Sequence, residues 1–265
     1  MKFNSAIILC GGKGTRLGSI SKKIPKTLVK IQKKEILWYI IKFLKKNNFN
    51  HFILPLGYKG NYIRNFVKKN NFFGSNVDLI NTGTNTNIGN RIYKVQKKIK
   101  SDNVLILNGD AIFNFNMKKI FQDHAKHKID ASFLSAESKY QFGTVCVKKG
   151  KLTDFQRNII FESVNVRNDK SIKAFNYAGL IVLKKDKLFK YSNIFKKSDN
   201  FEKYFYPILI KKHKTKIIKI NGLFHSIDNM KDIELGNLKS NDKIYKNIKI
   251  KKKNLLKKYE IKKTN

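Results

Sequence analysis

Short apolar runs alternate with helically spaced segments through the first 110 residues, and this alternation constrains the fold more than any other feature of the chain. Ala6–Cys10, His51–Leu56, Val77–Ile80 and Val104–Leu107 are short apolar runs, the pattern of strands buried on both faces. Between them, Ile36–Lys45 has apolar residues at 36, 37, 40, 41 and 44, and Gly60–Lys69 at 62, 63, 66 and 67. Gly89–Lys100 places Ile92, Val95 and Ile99 on one face. Each spacing predicts an amphipathic helix. Strands alternating with helices predict an α/β fold with a parallel sheet between two helical layers. Right-handed crossovers gather the loops after each strand at one edge, where such folds bind ligands.

After Asp110 the rhythm changes. Phe115–Lys128 reads as a helix, and Ala131–Ser135, Gly143–Lys148, Lys151–Phe155 and Leu180–Leu183 as short strands. Phe201–Lys211 reads as a helix and Lys216–Ile220 as a strand. The expectation is a mixed extension of the same sheet, within one domain over residues 1–238. Residues 239–265 are polar and Lys-rich, with weak helical spacing at Ile248, Ile250, Leu255 and Leu256, and predict a loosely held C-terminal helix or tail.

Of the 265 residues, 41% are apolar, enough to bury a core. No stretch approaches the ~20 apolar residues of a membrane helix. The apolar start is shorter than the ~7 residues of a signal-peptide core, so a cytoplasmic protein is expected. Cys10 and Cys146, each in a β-branched run, read as free thiols.

The 57 Lys+Arg against 18 Asp+Glu give a formal charge of +39, which raises the question of nucleic acid. Only five of the basic residues are arginine: Arg16, Arg64, Arg91, Arg157 and Arg167. Nucleic-acid readers favour arginine for bidentate contacts. A lysine, Asn, Ile, Phe and Tyr bias is what A+T-rich coding produces. The expected partners are therefore small anionic substrates, not nucleic acid and not a membrane.

The richest motif is Leu9-Cys10-Gly11-Gly12-Lys13-Gly14-Thr15-Arg16-Leu17, followed by Pro25-Lys26. A glycine loop after the first strand lets backbone N–H groups close on phosphate oxygens. Arg16 would add a bidentate fork and Lys26 a point charge. The loop lacks the Gly-Lys-Ser/Thr ending of a P-loop and the G-x-G-x-x-G spacing of the dinucleotide fingerprint. Asp110 ends the run Leu107-Asn108-Gly109-Asp110 at the ligand edge, and Asp228 follows a short semi-apolar run. Read alone, each carboxylate suits a cap or turn as well as a Mg²⁺ ligand.

The Gly11–Leu17 segment with Pro25-Lys26 resembles the signature of the sugar-1-phosphate nucleotidyltransferases. Further blocks support the likeness: Ile36–Ile40, Leu56–Gly60, Asn81–Thr86, Arg91–Gln96, Phe142-Gly143 and Gly222–Asp228. It covers about residues 3–238 and is most similar to the glucose-1-phosphate cytidylyltransferases. The resemblance implies the nucleotide-diphospho-sugar transferase type of fold, a Rossmann-like three-layer sandwich with a mostly parallel mixed sheet. It implies transfer of a nucleotidyl group from an NTP, CTP by best match, to a sugar 1-phosphate, glucose 1-phosphate by best match. Pyrophosphate leaves, and no covalent enzyme intermediate forms. Self-association is expected by resemblance alone.

Carried over residue by residue, the resemblance makes Arg16, Lys26 and Asp110 catalytic, and Asp110 and Asp228 the Mg²⁺ ligands. Leu9, Gly11, Gly12, Gly14, Thr15, Arg16, Lys26, Gly89, Arg91, Asn108 and Gly109 would bind the nucleotide. Gly89 would allow close approach of the base. Arg91 has two readings, a nucleotide contact or a residue that pairs on its own helix. Phe142, Gly143, Arg157, Tyr177 and Gly179 would bind the sugar phosphate. An attacking phosphate is already ionised at neutral pH, so no histidine is required as a base.

Three departures from the family stand out. Gln156-Arg157-Asn158 replaces a Glu-Lys-Pro segment, Tyr177 replaces an Asn near the sugar, and Ile88-Gly89-Asn90 replaces Thr-Gly-Gly. They motivate two alternatives: a guanylyl- or other nucleotidyltransferase for a heptose, and a catalytically weak ligand-sensing paralogue.

Overall fold

The computed structural model describes residues 5–139, 143–157, 159–197 and 200–238. The first half runs β1 (Ser5–Leu9), α1 (Ile36–Lys46), β2 (His51–Leu56), α2 (Gly60–Lys69), β3 (Asn76–Asn81), α3 (Ile88–Val95) and β4 (Asn103–Asn108). The second half adds β5 (Ala111–Phe115), α4 (Met117–Lys126), β6 (Ala131–Ser135), β7 (Gly143–Lys148) and β8 (Lys151–Arg157). It ends with β9 (Tyr177–Lys184), α5 (Phe201–Lys212), β10 (Thr215–Lys219), β11 (Gly222–Ser226) and α6 (Met230–Leu238).

Seven strands form one sheet in the order β10-β6-β9-β4-β1-β2-β3. Every pairing is parallel except the two made by β9. The strands are buried on both faces because alternate residues feed two cores. Ala6 and Ile8 of β1 join a core with Leu37, Ile41, Ile63 and Ile120, from α1, α2 and α4. Ile7 joins the opposite core with Ile92, Val95, Phe205 and Leu209, from α3 and α5. This is the expected α/β three-layer sandwich. The carboxyl ends of β1, β2 and β4 share one edge, and antiparallel β9 begins there with Tyr177.

The structure corrects several sequence expectations. The segment read as one helix over Phe115–Lys128 contains the end of a strand, β5, followed by α4. The run Ile112-Phe113-Asn114-Phe115 of β5 pairs with β11, which the sequence reading missed altogether. The helix expected over Gly89–Lys100 ends at Val95, and a tight turn over Gln96–Lys98 follows.

β7 and β8 do not extend the main sheet but form a separate hairpin. On one face Val145 lies opposite Phe155 and Val147 opposite Leu152, and all four are exposed. Strands with one apolar face cannot replace the doubly buried runs of a central parallel sheet. A second hairpin, Val164–Val166 with Asp169–Ala174, had no strand assigned from sequence. The Lys-rich segment 239–265 lies outside the described residues. Among the described residues no helix is long and apolar enough to cross a membrane.

Candidate active site

The glycine loop leaves the carboxyl end of β1, between the loops that follow β2 and β4. Two backbone bonds fix its root: the Tyr58 amide donates to the Gly11 carbonyl and the Gly109 amide to the Leu9 carbonyl, each at 3.0 Å. Gly14 has a φ of 63°, and the chain turns there into a single tight helical turn, Thr15–Leu17. That left-handed backbone favours glycine. A β-carbon at Gly12 would meet nothing within 4 Å, so this position faces open space. At Gly11 it would lie 2.5 Å from Arg91 Nη1. Gly12 therefore fits the loop-and-phosphate reading, Gly14 is fixed by its left-handed backbone and by the Lys26 side chain 2.9 Å from its β-carbon position, and Gly11 has a buried guanidinium in the space beneath it.

Lys26 follows Pro25 and opens a tight turn over Lys26–Leu28. Its ammonium donates to Asp110 Oδ2 at 2.8 Å and to Asp228 Oδ1 at 3.1 Å. Arg16 Nη1 reaches the same Asp228 oxygen at 3.0 Å. The four residues assigned to catalysis and metal thus meet in one cluster. Burial pushes the Asp228 carboxyl up, but the Ser226 hydrogen bond and the Lys26 and Arg16 charges outweigh it and hold the carboxyl below its ordinary value.

Asp110 and Asp228 meet because β5 and β11 pair. Asp110 directly precedes β5 and Asp228 lies just past β11, with Ala111 opposite Ser226. The Ile227 amide closes the ladder on the Asp110 carbonyl at 2.9 Å. Asp228 does not cap α6. Asn229 and Asp232 do so reciprocally: the Asp232 amide donates to Asn229 Oδ1 at 3.2 Å and the Asn229 amide to Asp232 Oδ2 at 3.0 Å. His225 donates from Nε2 to the Asp232 carbonyl at 2.9 Å, a structural contact.

The other expected residues divide. Asn108 lies against Gly179, whose β-carbon would be 2.6 Å from Asn108 Nδ2. At Gly109 a β-carbon would collide with the Leu9 carbonyl at 2.6 Å. At Gly89 a β-carbon would lie 2.3 Å from the Phe195 carbonyl, so close packing of α3 already requires glycine there. Arg91 is buried at 3% exposure and bonds to Leu56, Thr82 and Thr84, all outside its own helix, so it does not pair along α3. The Tyr177 hydroxyl meets that of Tyr206 at 2.9 Å, and burial raises the pKa of both phenols. Gly143 and Arg157 pair at the open end of the β7–β8 hairpin, and Phe142 lies outside the described residues. Gly57 and Thr82 fall within the Leu56–Gly60 and Asn81–Thr86 blocks but were given no role from sequence, and Tyr206 was not singled out at all.

The carboxylate pair fits a hard divalent cation. Its donors are oxygens, and its position already suits a positive charge, the Lys26 ammonium. Among the described residues no cluster of three or more His, Cys, Asp or Glu could hold a metal, so Mg²⁺ would draw its remaining ligands from phosphate and water.

A family model described as nucleotidyl transferase matches residues 5–157. The chain is 31% identical over 170 residues to a probable glucose-1-phosphate cytidylyltransferase of Bacillus subtilis, covering 57% of this chain and 67% of that one. It is 30% identical over 181 residues to a D-glycero-alpha-D-manno-heptose 1-phosphate guanylyltransferase of Campylobacter jejuni, covering 66% and 72%. Among solved structures, HddC of Yersinia pseudotuberculosis complexed with GMP-PN has a TM-score of 0.66 at 24% identity, over 90% of this chain and 100% of that one. That last likeness concerns the fold.

Proposed function

The chain belongs to the nucleotidyl transferase family, among the sugar-1-phosphate nucleotidyltransferases, and we propose that it joins the nucleotidyl group of CTP to glucose 1-phosphate. One observation carries the reading: Lys26, Arg16, Asp110 and Asp228 converge where the glycine loop meets the carboxyl edge of the sheet. An oxygen of the sugar phosphate attacks the α-phosphorus, and a new P–O bond forms. The bond to the bridging oxygen breaks, and pyrophosphate leaves with the electron pair. Lys26 is largely enclosed and holds its charge at a fixed point, so it stabilises charge gathering on the α-phosphate. Arg16 is mostly exposed and meets the outer phosphates. Gly12 leaves room for the backbone to approach phosphate, and the turn at Gly14 packs directly against the Lys26 side chain. Asp110 and Asp228 would hold Mg²⁺, which when bound supplies neutralising charge between the two approaching anions.

A second reading, GTP with a heptose 1-phosphate, is favoured by a specific observation: relatives of both kinds match at the same level of identity. Labelled CTP and GTP, each offered with glucose 1-phosphate and with a heptose 1-phosphate, separate the two. The account expects one labelled nucleotide sugar to dominate. Labelled product only with GTP would replace the first reading by the second.

A further inference from the structure

We propose that Arg91 is a positioning residue for the nucleoside triphosphate: a buried guanidinium that locks the glycine loop to the loops after β2 and β3 and fixes a positive charge beneath it. The proposal rests on the nucleotidyl-transfer reading above.

Arg91 projects from α3 into the region beneath the ligand edge, at 3% exposure. Nη1 donates to the Leu56 carbonyl at 3.3 Å and to Thr82 Oγ1 at 2.6 Å, and Nη2 donates to the Thr84 carbonyl at 3.2 Å. Thr82, itself buried, donates from Oγ1 to the Leu56 carbonyl at 2.7 Å. Leu56 ends β2, and Thr82 and Thr84 follow β3. An added β-carbon would lie 2.5 Å from Nη1 at Gly11 and 2.3 Å at Gly57. One side chain therefore contacts the loops after three neighbouring strands, and two glycines make room for it.

The charge is the second half of the argument. All three partners are neutral oxygens, and no carboxylate pairs with Arg91 among the described residues. The nearby Cys10 thiol does not compensate, because burial pushes its pKa up to about 12 and keeps it neutral. Burying a cation without a counter-charge is costly. Here the cation stands under the loop that receives the most anionic ligand of the proposed reaction. The many surface lysines act through water and are screened within ~8 Å at physiological salt. A buried charge is screened far less, so Arg91 contributes a steady field that the surface cannot supply.

The test is steady-state kinetics of R91M, R91K and T82V in the full chain, with folding followed by circular dichroism. R91M is expected to raise the KM for the NTP about tenfold or more and to leave the KM for the sugar phosphate within twofold. The rise should persist in 0.5 M salt, where a surface-charge effect fades. R91K keeps the charge without the fork and should fall between R91M and wild type. T82V keeps volume and charge but removes the 2.6 Å partner, and should raise the KM for the NTP several-fold. A folded R91M with wild-type KM for the NTP overturns the proposal, as does an equal loss of kcat with both KM values unchanged. Should R91M fail to fold, T82V decides, and a wild-type KM there overturns it. Calorimetric NTP binding to wild type and to the folded variants reads the same contrast without turnover. A wild-type chain that binds NTP but makes no nucleotide sugar contradicts the function reading alone. One that binds no NTP overturns both.

Discussion

The carbonyl of Asp110 accepts a hydrogen bond from the Ile227 amide at 2.9 Å, and this bond brings the two candidate metal ligands together. It closes a two-stranded ladder that stands apart from the main sheet. Asp228 is thereby set beside Asp110 with Lys26 between them, while Asn229 and Asp232 take over the capping of α6.

Asp110→Asn keeps the shape of the side chain and removes its charge. Turnover is expected to fall by at least ~100-fold, the scale of losing one electrostatic partner of the transition state. The circular dichroism spectrum should stay as in wild type. A Mg²⁺ titration of activity is the check, and wild-type turnover would remove Asp110 from the site.

Lys26→Ala should lower kcat more than it raises the KM for the NTP. The ammonium is enclosed, with 13% side-chain exposure, and held in place by the Asp110 and Asp228 carboxylates, so in the proposed reaction it is a pre-placed charge for the α-phosphate as negative charge gathers there. A fall in kcat of roughly 10²–10³-fold is expected. An unchanged kcat with a raised KM would make Lys26 a binding residue only.

Stability should fall as the pH drops below neutrality, and His124 should cause part of that fall. Burial, then the Lys184 charge, pushes its imidazole down to about 4, against a partial opposing effect of Asp130. The unfolded chain binds that proton near pH ~6.5. Between pH 6.5 and 4 the unfolded state therefore holds more protons, so the stability present above this window is lost on descending through it. The loss from this one group is about 3 kcal/mol. Urea midpoints of wild type and His124→Gln at pH 7.5 and 4.5 give the comparison. The wild type should lose more between the two, and equal losses would exclude His124.

The two thiols should differ in reactivity. Burial pushes Cys10 up to about 12, and its thiol donates to the Pro55 carbonyl at 3.8 Å. Cys146, on the exposed hairpin, is only partly buried. Iodoacetamide at neutral pH should therefore label Cys146 alone in the native chain and both cysteines after denaturation. Rapid native labelling at Cys10 would mean that the root of the glycine loop opens.

The α/β layers were legible because β1, β2 and β4 are unbroken apolar runs and α1 and α2 carry clear helical spacing. Their burial on both faces leaves no competing pattern. Asp110 and Asp228 were legible as types and positions, but not as neighbours. Their meeting depends on β5 and β11, short strands whose pairing is non-local and which were left unassigned apart from Phe115, taken into a helix. Gly89 and Gly11 show a related limit. A glycine in sequence signals a close approach without saying by what, and here the neighbours are the Phe195 carbonyl and the Arg91 guanidinium. Arg91 offered two readings from sequence, and its side chain departs from the helix-pairing one by reaching the loops after β2 and β3, a contact set by the sheet order and not by local spacing.

The most direct measurement is pyrophosphate release by the purified chain with Mg²⁺, taking CTP, GTP, UTP, ATP and dTTP in turn against several sugar 1-phosphates. The account predicts release that requires both substrates, equals the NTP consumed, and is concentrated in one pair, with CTP and glucose 1-phosphate the first expectation. No pyrophosphate from any pair, in a chain that still binds NTP, would contradict it and leave a ligand-sensing relative of the family.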